Sequence, residues 1–342
     1  HKAARAGVIL MDMSFMSKFL VQGRDAGKVL NYVSANQVDG QANQITYTQW
    51  LNENGTLEAD LTVTKLEEEK YLVIVTDTMH RHAETWLKRH ISAADHAFVT
   101  DITSAYGQLN IQGPKSRELL QSLTNVDLSN EAFPFRHARE IEIGYAKVLC
   151  IRITYLGELG YELYIPSEQA THVYDRIVEA GKAFDLRHAG LRALGSLRME
   201  KGYRDYGHDM DNTDDPYEVG LGFCVDLKKP GGFIGKEAVL TKKAQGPLKR
   251  RLAQVLVKAP EPFLFHAEVV RRNGVDAGYV RGGSYGFSLG GAVGLFMIEA
   301  DEPVTADYIA NGKWEIEIAG KIYPAEVSLR PFYDPEMRRI KA

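Results

Sequence analysis

Every second residue in LEADLTV at 57–63 is apolar: Leu57, Ala59, Leu61 and Val63. The run follows an Asn52-Glu53-Asn54-Gly55 turn. Period-two alternation leaving a tight turn specifies a β-strand with one face buried. Glu58, Asp60 and Thr62 then share the opposite face, which looks onto either solvent or a polar cavity. A second segment, ITYLGELGYELYIP at 153–166, has a similar turn-plus-strand character and places Glu158 and Glu162 among Tyr155, Tyr161 and Tyr164.

The remaining composition narrows the class. At 342 residues, with 44% hydrophobic and 25% charged, the chain can build two or three domains, each with a real core. Its 41 basic and 45 acidic residues are interspersed and sum to −4, so electrostatic capture of nucleic acid or an anionic membrane is not indicated. No apolar run approaches the roughly 18 residues of a membrane span, and no signal peptide is visible. The first residue is His1 rather than Met, from which an upstream part is taken to be removed or absent. Cys150 and Cys224 lie in apolar stretches and read as buried free thiols, without disulfide or zinc framework. A reducing compartment fits.

Helical spacing marks 24–35, 79–91, 115–124, 171–184 and 191–203. Strand character marks 47–51, 57–65, 71–75, 140–143 and 146–155. Past Pro230 the chain alternates and turns often, with Asn-Gly at 273–274 and 311–312, as a small antiparallel barrel or sandwich does. The best single cut falls near 240–248.

Several tempting motifs carry nothing. His80 and His82 sit about 200° apart on a helix, a poor metal pair, and read as surface histidines. Asp209, Asp211, Asp214 and Asp215 lack the glycine and final glutamate of a calcium loop and read as an acidic surface loop. The glycines of GYVRGGSYGFSLGG fit turns rather than a phosphate cradle. Two carboxylate positions remain, Asp60 and the Glu158/Glu162 pair. Glu162 faces away from Tyr161 and Leu163 and shares its side with Tyr164. Such a carboxylate suits a flat heterocycle with adjacent N–H donors, as on a 2-amino-4-oxopyrimidine edge. The plainer reading, that Glu162 pairs with a surface Lys or Arg, stays open at this point.

Together the segments DMSFMSKFLVQG, NENGTLEADLTV, IQGPKS, YLGELGYELYIP, LRALGSLRMEKGYRDYG, FIGKEA and FYDPEMRRI run in an order that resembles the glycine-cleavage T-protein family. The nearest branch looks like the folate-binding C-terminal half of sarcosine and dimethylglycine dehydrogenases. The resemblance implies an α+β fold: a three-domain ring around a central folate-binding hole, closed by a C-terminal antiparallel β-barrel. It implies domains at 1–50 with 140–242, at 51–139, and at 243–342. It implies tetrahydrofolate as cofactor, Asp60 as the catalytic carboxylate and Glu162 as the grip on the pterin. Tyr47, Tyr155, Tyr164 and Phe223 fall on neighbouring folate contacts. Leu194 stands where true T-proteins carry arginine in G-L-x-A-R, which fits the amine-dehydrogenase branch. Arg198, one turn on, reads as a structural ion-pairing residue. No dinucleotide fingerprint is present, so FAD belongs to an upstream domain or partner.

The activity implied is transfer of a one-carbon unit, as iminium or formaldehyde from a small methylated amine, to give 5,10-methylenetetrahydrofolate. Competing readings are a folate-dependent demethylase of small methyl ethers or thioethers and a non-catalytic folate-binding module. The implied partner is a flavin dehydrogenase domain or subunit, and the implied compartment the bacterial cytoplasm or mitochondrial matrix.

Overall fold

The computed structural model describes residues 1–342. The strand expected from the alternation runs Leu57–Glu67, with Leu57, Ala59, Leu61 and Val63 buried and Glu58, Asp60 and Thr62 only partly so. The turn before it is held by Asn52, whose Oδ1 accepts from the Asn54 and Thr56 amides at 3.0 and 3.3 Å. Gly55 sits at φ 71°, the left-handed region that glycine enters at least cost.

That strand is an interior strand of a five-stranded antiparallel sheet. Its order is Ile45–Leu51, Leu57–Glu67, Lys70–Val75, Ser17–Gln22 and Phe98–Asp101. Helices Ala26–Val33 and His80–Arg89 cover one face, through Val29, Leu30 and Val33, and through Ala83, Trp86 and Leu87. They pack on Phe19, Trp50, Ala59, Leu61 and Val73. A six-stranded sheet follows the order Arg187–His188, Ile9–Asp12, Tyr106–Gln112, Gly160–Pro166, Ala146–Ile151 and Ala138–Ile143. Helices Ser116–Gln121 and Ala170–Gly181 contribute Leu119, Leu120, Val173 and Ile177 to its core.

The uncovered faces of these two sheets meet each other. Ile45, Leu72 and Ile74 of the first pack with Ala138, Ile151 and Tyr164 of the second. Opposed residues on paired strands share a face. Thr64 opposes Ile45 and Leu72, and Thr62 opposes Tyr47 and Ile74, so Asp60, two and four residues away on the same strand, lies on this inter-sheet face. In the second sheet Tyr164 and Glu162, which opposes Ile151 and Asn110, also share the face turned toward the first.

The third sheet comprises the strands from Arg250–Val257 to Glu326–Ser328. Its edge strands, Lys321–Pro324 and Glu326–Ser328, are consecutive in the chain, separated by Ala325 alone. One residue cannot span an open seven-stranded sheet, so the sheet curls on itself as a barrel wall, as expected.

Two expectations need correcting, and the sheets run across the cuts expected at 50 and 139. Strands Ser17–Gln22 and Ile45–Leu51, placed with 140–242, pair with 57–101, and Tyr106–Gln112, placed with 51–139, belongs to the six-stranded sheet. The strand expected through Tyr155 stops at Ile151, and Tyr155 lies in a loop. The acidic run is not a surface loop: Asp209 and Asp214 are 0% exposed and Asp215 is 5%. Asp209 pairs with Arg198. Asp214 takes Arg281 at 2.6 Å and Arg250 at 2.7 Å, both from the barrel sheet. Local composition cannot reveal such partners, since a charge block reads as solvated until its counterions arrive from distant sequence.

Removing one member of a buried pair strands the other charge, at a cost of about 3–5 kcal/mol. Asp214→Ala should therefore lower the urea midpoint strongly. Glu336→Ala, which breaks the exposed 3.1 Å pair with Arg330, should move stability by no more than about 0.5 kcal/mol. Equal midpoints for the two variants would show that the buried cluster does not hold the fold.

Candidate functional site

Asp60 projects from mid-strand into the inter-sheet space with both oxygens engaged. Tyr47 Oη donates to Oδ2 at 2.9 Å, and Gln49 Nε2 donates to Oδ1 at 2.8 Å. Both donors come from the same face of the neighbouring strand, where Gln49 directly opposes Asp60. Burial pushes the Asp60 carboxyl up to about 6, against the pull of the Gln49 and Tyr47 hydrogen bonds. The charge of Asp205 adds to the rise and that of Arg204 opposes it. Burial also holds the Tyr47 phenol far above its ordinary value, so it stays a donor.

Two further residues stand near this pair on loops. Phe223, on the short turn Gly222–Cys224, is 73% exposed, and its ring lies 6.3 Å from that of Tyr47. Tyr155 stacks on Tyr203 at 5.8 Å and 13°, and its hydroxyl donates to the Arg204 carbonyl. Tyr47, Asp60, Tyr155 and Phe223 thus gather as one cluster.

Glu162 and Tyr164 form a second cluster on the facing sheet. Tyr164 Oη donates to Glu162 Oε2 at 2.7 Å, and Asn110 Nδ2, from the opposed strand, approaches Oε1 at 3.5 Å. Burial raises the Glu162 carboxyl, while these two hydrogen bonds and the charge of Lys18 lower it. Glu162 makes no ion pair with Lys or Arg, so of the two readings the surface pair is absent. Tyr164 is only 2% exposed and belongs to the inter-sheet core. It orients Glu162 rather than offering its ring to an open slot.

Glu158 has a different role from its neighbour in sequence. It is 1% exposed and joins Arg5 at 3.1 Å, Arg339 at 3.2 Å and the Tyr333 hydroxyl. That cluster ties both ends of the chain to the 155–159 loop. Leu194 packs against the small core of Ile9, Met11, Leu156 and Leu197. Arg198 is spent on Asp209, an ion-pairing role as the sequence suggested. His80 and His82 go to separate acids, Asp101 and Glu58, and no three-ligand metal cluster exists.

Sequence reasoning missed Gln49, Asn110 and Arg204. Gln49 was within reach: it stands two residues from Tyr47, hence on the same strand face. Asn110 meets Glu162 only through strand pairing that local pattern does not encode. Buried acceptors are left over as well, since Gln49 Oε1 and Gln108 Oε1 have no hydrogen-bond partner. A carboxylate retains free lone pairs after one or two bonds. Together these fit a flat ligand rich in N–H donors, as a reduced pterin is.

The family comparisons cover most of the chain. The model for the GCVT N-terminal domain matches residues 1–229, and that for the glycine cleavage T-protein C-terminal barrel domain matches 250–334. The 4-methylaminobutanoate oxidase (formaldehyde-forming) of Paenarthrobacter nicotinovorans is 40% identical over 341 residues, 100% of this chain and 40% of that protein. The mitochondrial sarcosine dehydrogenase of Mus musculus is 34% identical over 99% of this chain and 38% of its own length. The chain therefore spans about two fifths of these curated relatives. The crystal structure of glycine cleavage system aminomethyltransferase T from Bartonella henselae matches with a TM-score of 0.84 at 24% identity, over 98% of this chain and 89% of that one, a likeness of fold. A double-sheet core with a terminal barrel, matched over 1–229 and 250–334 by two consecutive family models, makes the conclusion plain: the chain belongs to the glycine-cleavage T-protein family.

Proposed function

We propose that the chain transfers a one-carbon unit from a small methylated amine, as its iminium or as formaldehyde, to tetrahydrofolate, giving 5,10-methylenetetrahydrofolate. We further propose that it works as the folate-binding part of a flavin-dependent amine dehydrogenase. The observation that carries this reading is the enclosed Asp60 carboxyl, held by Tyr47 and Gln49 on a face turned toward the Glu162 cluster.

Bound tetrahydrofolate supplies the nitrogens that accept the carbon. Glu162 holds the pterin edge, its two oxygens accepting parallel N–H donors while Tyr164 fixes the carboxylate plane. Asp60, ionised above about pH 6, stabilises positive charge arriving with the one-carbon unit, takes up the proton released as the new C–N bond forms and returns it to the group that leaves the carbon, the demethylated amine from an iminium or water from formaldehyde. Tyr47 and Gln49 keep its two oxygens fixed during that exchange. The enclosure of Asp60 favours turnover over a purely binding module, because a passive wall has no use for a carboxyl titrating near neutrality.

Anaerobic calorimetry with tetrahydrofolate tests the pocket. Glu162→Ala should weaken binding at least about tenfold, because it removes a charged acceptor, and an unchanged dissociation constant would refute the pterin role. Asp60→Ala should keep affinity within a few-fold yet slow transfer by about 10²–10⁴-fold. Near-normal turnover in that variant would sink the catalytic assignment. Transfer by the unaltered protein should decline as pH falls through about 6, where Asp60 takes a proton.

The same residue makes a stability prediction. A carboxyl raised from 3.8 to about 6 on folding favours the fold while protonated. Its stabilisation is complete below about pH 4 and is lost as pH rises through about 6. Asp60→Asn should then raise the melting temperature at pH 7.5, by on the order of 2–3 kcal/mol of stability, with the gain vanishing near pH 4. A gain that stays constant across this range would contradict the origin given for it.

A further inference from the structure

The loop after helix Leu191–Glu200 delivers one cation that the proposed reaction does not yet use. Arg204 is partly enclosed beside the Asp60 cluster. Its Nε donates to the Val219 carbonyl at 2.8 Å and its Nη1 to the Gly202 carbonyl at 2.6 Å. Its own carbonyl accepts from Tyr155. Nη2 makes no hydrogen bond in the protein, and the guanidinium has no carboxylate within the 4.0 Å of an ion pair. The other arginines gathered around this loop are spent: Arg198 on Asp209, and Arg250 and Arg281 on Asp214. Burial pulls the Arg204 pKa down, while the nearby Tyr47, Asp209, Asp60 and Tyr155 act the other way.

Gly220 borders the unengaged nitrogen. A Cβ there would stand 2.6 Å from Nη2, and the backbone is at φ 73°. The loop thus leaves one guanidinium nitrogen unengaged, while Nε and Nη1 are each fixed by a carbonyl. A guanidinium held in that way keeps the N–H groups of Nη2 for an acceptor, and a carboxylate is the acceptor its charge favours. Within the same cluster Asp60 supplies the negative charge. A ligand carrying positive charge at the reacting end and a carboxylate at the other complements both.

We propose that Arg204, with its free Nη2 beside Asp60 and Tyr155, is the carboxylate-binding residue of this site. The inference rests on the one-carbon-transfer reading and adds the anionic part of the ligand to it. Two ligand groups have this chemistry: the acid end of a methylated amino acid serving as carbon donor, and the glutamyl carboxylates of the folate.

Anaerobic calorimetry separates them. Tetrahydrofolate, tetrahydropteroate (which lacks the glutamate) and dimethylglycine are titrated into the unaltered chain, Arg204→Gln and Arg204→Lys, with dimethylglycine added both with and without saturating tetrahydropteroate. If the folate glutamate is the ligand, Arg204→Gln weakens tetrahydrofolate by about 10- to 100-fold and leaves tetrahydropteroate unchanged. If the donor is the ligand, both folates keep their affinity and dimethylglycine binding falls by a similar factor. In either case Arg204→Lys recovers part of the loss, which a purely structural contact to Gly202 and Val219 would not restore for one ligand alone. Equal weakening of tetrahydrofolate and tetrahydropteroate, or affinities all within twofold of the unaltered chain, overturns the proposal. Failure of the unaltered chain to bind either folate refutes the folate reading instead, and Arg204 then stands or falls on dimethylglycine alone. Absence of that binding too overturns both.

Discussion

The buried acids of the 209–218 loop hold the site to the scaffold. Asp214 draws Arg250 and Arg281 from the barrel, Glu218 adds a 2.8 Å contact to Arg250, and Asp209 holds Arg198 on the preceding helix. These pairs fix both flanks of the segment that carries Arg204 on one side and Phe223 on the other. Apolar packing of Met210, Val219 and Leu221, with Tyr206 and Tyr217 beside them, adds to the placement of the loop. A charge cluster is a stringent locator, because any displacement exposes an uncompensated ion in a poorly solvated place. The geometry around Asp60 thus depends on ion pairs in which Asp60 itself takes no part.

A second cluster works in the same manner at the other side of the molecule. Arg5 reaches Glu158 and Glu200 together, with its guanidinium 3.8 Å above the Tyr333 ring. Glu200 in turn accepts from the Ser288 amide of the barrel at 2.7 Å. Sheets that share little hydrogen bonding are joined through carboxylates, whereas Asp60 and Glu162 keep only neutral or amide donors. The division is one of partners: Glu158, Glu200 and Asp214 meet arginines, whereas Asp60 and Glu162 meet phenols and side-chain amides.

What the sequence disclosed follows from where its information is local. The face of Asp60 was legible because strand parity is set within a few residues, and the same holds for Glu162 and its Tyr164 neighbour. The barrel was legible from turns and alternation. Sheet membership was not: Ile45–Leu51 could have paired with strands on either side, and only the register with Leu57–Glu67 decides it. The burial of Asp209 and Asp214 was hidden for the same reason, since their counterions lie far along the chain. Tyr164 shows the limit even where parity succeeds. Its side of the strand follows from parity, whereas its burial between the two sheets depends on how closely they approach.

The closure of the third sheet has a consequence for how the protein is made. Strand Arg250–Val257 pairs with Gly291–Glu299 on one side and with Glu326–Ser328 on the other. During synthesis the second edge stays open until the last of these strands has left the ribosome, and the loop that must close is long. An apolar edge waiting that long is a template for pairing with another chain. Arg251 of that strand already bonds the Val304 carbonyl, and Arg250 faces Glu299 at 3.2 Å. Two adjacent arginines at its start therefore give the nascent edge charge where it would otherwise invite a stranger.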